Sequence, residues 1–121
     1  KNQIKNGVLL ITQPLSEDGF ISEEEKLSLY EKIIDEHTSG EPVFLKPHPR
    51  ERTNYKEVFK KNINYIPRAF PLEIFNLQSS IKFKLGITIW SSSIKNLECV
   101  GEKIFLGVEY DNRLKPKKFL F

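Results

Sequence analysis

The run Gly7-Val-Leu-Leu-Ile-Thr12 is apolar at consecutive positions rather than at alternate ones. A strand with that pattern has to be covered on both faces, the condition of an inner strand in a parallel sheet. Four further apolar runs follow: Val43-Phe-Leu45, Ile63-Asn-Tyr-Ile66, Leu85-Gly-Ile-Thr-Ile89 and Lys103-Ile-Phe-Leu106. Helical patterns lie between them. Ser22 opens the first, since Ser22 with Glu25 forms a capping box and Glu23 and Glu24 suit the positive end of the helix dipole. Leu27, Tyr30, Ile33 and Ile34 supply its buried stripe, and Gly40 and Pro42 stop it. A short helix is expected from Thr53 to about Lys60. Pro71 suits the first turn of another, carrying Leu72, Ile74, Phe75 and Leu77. A last helix begins at Ser91-Ser-Ser93 and carries Ile94 and Leu97. The order βαβαβαβαβ predicts an α/β fold with helices on both faces of a mostly parallel five-stranded sheet.

Such a Rossmann-like three-layer sandwich takes its ligands outside the carboxyl ends of the strands. The unusual polar residues all sit there. Glu17-Asp18-Gly19 follows the first strand, Lys46-Pro-His-Pro-Arg50 the second, and Ser91-Ser-Ser93 the fourth. His48 lies between Pro47 and Pro49, which stiffen the backbone around it. An imidazole there can act as an acid toward a leaving phosphate, with Lys46 and Arg50 adding charge for an anion. The plainer reading is a loop histidine between rigid prolines. Glu17 or Asp18 can accept a proton from a sugar hydroxyl, and Gly19 permits a positive φ. An acidic turn is the plainer alternative. Ser91, Ser92 and Ser93 offer hydroxyls and amides to a phosphate, or else a simple serine cap. Glu73 can bind vicinal ribose hydroxyls, or merely answer a helix dipole. His37 reads only as a helix-terminal imidazole.

No Gly-x-Gly-x-x-Gly or P-loop pattern occurs, which disfavours dinucleotide and triphosphate sites of those classes. Two histidines and one cysteine lie far apart and no Asp-x-Asp pair occurs, so no metal site is expected. No apolar run approaches the ~20 residues of a membrane-spanning helix. The single cysteine excludes an intrachain disulfide and fits a reducing, cytoplasmic setting. No signal peptide is visible. The absence of methionine suggests a domain excised from a longer protein. The net charge is only +3, so nucleic acid is not an expected partner. Much of the excess lies in the stretch 111–121, in Arg113, Lys115, Lys117 and Lys118. That tail is expected to leave the domain, either solvated or in peripheral contact with anionic lipid. A homodimer is compatible with the sequence.

Taken in chain order, Glu17-Asp18-Gly19, His48-Pro49 and Ser91-Ser92-Ser93 resemble the motifs of two-domain GT-B bacterial sialyltransferases. Lys46 stands two residues before the histidine, as in that family. The stretch Ile66-Pro67-Arg68-Ala69-Phe70-Pro71-Leu72-Glu73 resembles the family segment that offers a glutamate to the ribose. The resemblance runs from Val8 to Phe105, with lipooligosaccharide sialyltransferases nearest and capsular polysialyltransferases behind them. It implies one half of a GT-B fold: a single CMP-sugar-binding domain over 1–121, the C-terminal half of the enzyme. It implies inverting, metal-independent transfer of sialic acid from CMP-sialic acid to a lipooligosaccharide or capsular acceptor. No cofactor is implied. The base would be Asp18, with Glu17 close behind. His48 would meet the departing phosphate, Ser91 and Ser92 would hold it, and Glu73 would hold the ribose. The triple serine leaves Ser92-Ser93 open as the pair. In several relatives the acidic motif belongs to the acceptor-side domain; here it shares a sheet with His48, as suits the lipooligosaccharide branch. The isolated domain would bind nucleotide and turn over little. Such an enzyme would work in the cytoplasm, at the inner membrane. The rival readings are a GT-B transferase using another nucleotide sugar or a CDP-polyol, and a non-catalytic α/β binding module.

Overall fold

The computed structural model describes residues 4–59 and 62–116. Five strands form one sheet: β1 (Ile4–Ile11), β2 (Val43–Lys46), β3 (Ile63–Tyr65), β4 (Ile81–Thr88) and β5 (Val100–Phe105). Their order is β3-β2-β1-β4-β5, and every pairing is parallel. The expected α/β sandwich is the fold observed, with a sheet that is wholly parallel.

The apolar run of β1 serves both faces. Val8 and Leu10 enter a core covered by α1 (Glu23–His37) and α2 (Tyr55–Val58), and Leu9 and Ile11 enter the core on the other side. All four are buried. Each such side chain stabilises by roughly 1.5–3 kcal/mol when fully buried, so β1 belongs at the centre of the sheet.

α1 starts where the sequence indicates. Ser22 accepts from the Glu25 amide, and the Glu25 carboxylate accepts from the Ser22 amide. Its buried stripe differs from the expected one. Lys26, Leu29, Tyr30 and Ile33 face inward, whereas Leu27 and Ile34 are only partly buried. This orientation brings Lys26 to the carboxylates of Glu17 and Glu51.

The opposite face is covered by two 3-10 helices, Leu72–Leu77 and Ser92–Asn96, rather than by the expected α-helices. In a 3-10 helix residues three apart align. Leu72 and Phe75 are therefore buried while Leu77 is 84% exposed. Where a helix is expected from Thr53 to about Lys60, α2 covers Tyr55–Val58; Thr53 precedes it and donates to Glu23, and Lys60 lies outside the described residues. β1, β4 and β5 each begin several residues earlier than their apolar runs. The start of β4 alternates buried Ile81 and Phe83 with exposed Lys82 and Lys84, a period-two pattern that a search for continuous runs passes over.

The described residues after β5, 106–116, do not leave the domain. Two 3-10 turns, Val108–Tyr110 and Asn112–Leu114, fold back on α1, and Leu114 is buried. Asp111 accepts from Lys32 at 3.1 Å, and Tyr110 donates to Glu36. Arg113 is engaged by Asp111, and Lys115 by Glu109. The other two basic residues of the tail, Lys117 and Lys118, lie outside the described residues.

Gly86 in β4 lets the second 3-10 helix approach the sheet. A Cβ there would sit 2.4 Å from Ile94 Cδ1 and 2.8 Å from Val100 Cγ1. Gly86→Val should therefore push Ser92–Asn96 off the sheet and cost about 1–3 kcal/mol, read as a lower urea midpoint; an unchanged midpoint would contradict this packing.

Candidate active site

The strand order reverses between β1 and β4, and a ligand crevice opens at the carboxyl ends beside such a switch. A cavity of about 350 Å³ lies there. It is lined by Ile11, by Lys46 to Pro49 after β2, by Phe70 to Glu73 after β3, and by Ser91 to Ser93 after β4. Lys46, His48, Pro49, Glu73, Ser91, Ser92 and Ser93 thus share one cavity. Glu17 and Asp18 do not line it.

His48 is half-buried, and both its backbone and its ring are held. Its amide donates to Glu51 Oε1 at 2.8 Å, and its Nδ1 accepts from the Arg50 amide at 3.0 Å. With Nδ1 an acceptor, the neutral ring carries its proton on Nε2. That nitrogen is the one able to donate.

Lys46 is buried, and its ammonium donates to the carbonyls of Pro47 at 2.8 Å and Arg68 at 2.7 Å. It clamps the ends of β2 and β3 together and lends the cavity positive charge. Burial pushes its pKa down, against the raising influence of Glu51 and Glu73. Ser91 acts as the cap. Its Oγ accepts from the Ser93 amide at 3.3 Å and pairs with Ser93 Oγ at 2.8 Å. Ser92 is exposed, and its hydroxyl has no partner among the described residues. The five-residue 3-10 helix behind it offers little dipole, so hydroxyls are the main donors on this wall. Glu73 stands exposed in the first turn of its own 3-10 helix.

The acidic loop splits into two environments. Glu17 points inward and accepts from Lys26 at 2.8 Å and from the Arg52 amide at 2.7 Å. Burial alone would raise its pKa, but the Lys26 and Arg52 hydrogen bonds outweigh burial and bring it to about 2. Asp18 lies at the surface in a two-pronged pair with Arg50, at 2.6 and 3.1 Å. The Arg50 hydrogen bond lowers its pKa. Gly19 has φ +80°, the conformation expected of it.

Two residues central to the site were not singled out from the sequence, Glu51 and Lys26. Glu51 is 1% exposed and accepts from Thr12 Oγ1, Lys26 Nζ, the His48 amide and Tyr55 Oη. It joins β1, α1, α2 and the histidine loop. Removing one partner of such a buried pair costs about 3–5 kcal/mol. The available signal was a lysine at position 26, in the row that Tyr30 and Ile33 continue. Gln13 is a further tie, its Oε1 accepting from the Trp90 amide at 2.7 Å and Thr88 Oγ1 at 3.3 Å across the β1–β4 switch. Among the described residues no three histidine, cysteine, aspartate or glutamate side chains gather as metal ligands would.

Residues 1–106 match the family described as Glycosyltransferase family 52. The chain belongs to glycosyltransferase family 52. A Haemophilus influenzae (strain Rd) protein, described as an uncharacterized protein, is 40% identical over 85 residues. That stretch is 70% of this chain and 27% of the relative, so the chain spans about a quarter of that protein's length. No solved structure matches.

The Glu17 network also sets an acid limit on this family 52 domain. A carboxyl whose folded pKa is depressed stabilises fully above its ordinary value and loses that contribution as pH falls. For Glu17 the window runs from pH 4.5 down to about 2. Urea unfolding at stepped pH should show stability falling across this window, and Glu17→Gln should flatten that part of the curve. Identical pH profiles for the two proteins would refute the assignment.

Proposed function

We propose that this chain is the donor-nucleotide half of an inverting sialyltransferase of GT-B architecture, which transfers sialic acid from CMP-sialic acid to a lipooligosaccharide or capsular glycan. The supporting observation is one cavity that unites His48, Ser92, Ser93 and Glu73 in a chain of glycosyltransferase family 52. Its volume, about 350 Å³, suits a nucleoside monophosphate. Glu73 would take the ribose hydroxyls. The serine hydroxyls and His48 Nε2–H would meet the phosphate, where charge develops as the glycosidic bond breaks.

In the proposed reaction the acceptor hydroxyl attacks the anomeric carbon of sialic acid and gives its proton to a carboxylate. The bond from that carbon to the CMP phosphate oxygen breaks, and its electron pair stays on the phosphate. His48 Nε2–H then donates to that oxygen. Inversion requires base and leaving group on opposite faces of the sugar. Asp18 suits the base better than Glu17: it stands at the surface with Arg50 as its one partner among the described residues, whereas Glu17 is tied into the network by Lys26 and the Arg52 amide. Arg50 bears on both candidates, its amide on His48 and its guanidinium on Asp18.

Calorimetric titration with CMP, CDP, UMP and UDP tests the donor assignment. CMP should bind selectively. His48→Ala and Ser92→Ala should each weaken it by roughly tenfold to hundredfold, the worth of one hydrogen bond to a charged group. Preference for a diphosphate would point to another nucleotide sugar, and equal binding by both variants would remove these residues from the site.

A further inference from the structure

A second cavity, of about 580 Å³, lies across the histidine loop from the first. Its walls are Glu17, Pro49, Arg50, Glu51, Arg52 and Arg68. We propose that it is an oxyanion subsite, taking a carboxylate or phosphate carried by a sugar ligand whose other end lies against His48.

The charge on its walls supports this. Both carboxylates are already saturated. Glu17 is held by Lys26 and the Arg52 amide, and Glu51 by Thr12, Lys26, Tyr55 and the His48 amide. Arg50 shares its charge with Asp18. Arg52 and Arg68 are exposed, and neither guanidinium has a carboxylate partner among the described residues. Among the described residues, the one hydrogen bond of the Arg68 guanidinium is a long 3.5 Å contact to the Thr53 carbonyl. The uncommitted charge of the cavity is therefore positive.

The arginines also spring from fixed backbone. Glu17 holds the Arg52 amide at 2.7 Å, and Lys46 holds the Arg68 carbonyl at 2.7 Å. A guanidinium presents a planar fork that fits carboxylate or phosphate oxygens in pairs. Preset stems reduce the entropy lost when that fork closes on a ligand.

Pro49 lines both cavities. A ligand with its nucleotide in the first can pass over Pro49 into the second. In CMP-sialic acid the sugar carboxylate is bonded to the same carbon that bears the phosphate, so it must lie close to His48. A phosphate on the acceptor glycan is the other source of the same chemistry. The choice of a sugar acid rests on the transferase reading, whereas the anion subsite itself does not.

The test is titration of the 121-residue chain with N-acetylneuraminic acid, its methyl ester and inorganic phosphate, each with and without saturating CMP. The Arg52→Gln/Arg68→Gln double variant is run in parallel; both side chains are exposed, so the fold should persist. The expected result is that the free acid binds. The methyl ester and the double variant should each weaken binding roughly tenfold, the loss of about one charge-assisted pair. CMP should leave anion binding in place. Phosphate binding that the double variant loses, without binding of the sugar acid, would support the subsite and assign it to the acceptor side. No binding of either anion, binding unchanged in the double variant, or displacement by CMP would overturn the proposal. Failure of CMP to bind while the anion still binds would count against the nucleotide reading alone.

Discussion

Lys26 places an ammonium group inside the protein, where an unpaired charge cannot stay. Glu17 answers it at 2.8 Å and Glu51 at 3.0 Å. Much of the candidate site follows from that arrangement. Glu51 also accepts from Thr12 at the end of β1 and from the His48 amide after β2. Glu17 in turn fixes the Arg52 amide. The charge buried by α1 therefore sets where the acidic loop and the histidine loop lie. Such a network specifies one arrangement only while all its members are present.

The same network divides the labour of adjacent acids. Glu17 faces inward and is spent on structure, whereas Asp18 faces outward and meets Arg50. Arg50 also fixes the ring of His48 through its amide. One residue thus bears on the candidate base and on the candidate acid. It lines the arginine-rich cavity, which Pro49 separates from the nucleotide-sized one.

The sheet was legible in the sequence because a strand covered on both faces leaves a continuous apolar run, and Val8 to Ile11 is such a run. The cavity residues were legible because strand ends in this architecture converge, so Lys46, His48, Glu73 and Ser91 to Ser93 meet although they lie far apart in the chain. The hidden parts have physical causes. Lys26 reads as a surface residue until its partners are known, and both partners come from other segments. Glu51 looks like one acid in a charged loop. The 3-10 helices look like α-helices in the sequence, since Leu72 and Phe75 satisfy either period at this length. Leu114 returns to the core beside the Asp111–Lys32 pair, a contact between segments 79 residues apart that no local pattern announces.

The central claim is that a cytidine monophosphate sits at the carboxyl edge of the sheet, against His48 and the serine turn. Amide chemical-shift mapping of the nitrogen-15-labelled chain with CMP tests it most directly. The account predicts the largest shifts at Lys46, His48, Glu73, Ser92 and Ser93, with Gly40, Ser80 and Gly101 at the opposite edge undisturbed. Shifts centred on that opposite edge, or CMP binding that leaves His48 and Ser92 unmoved, would contradict it.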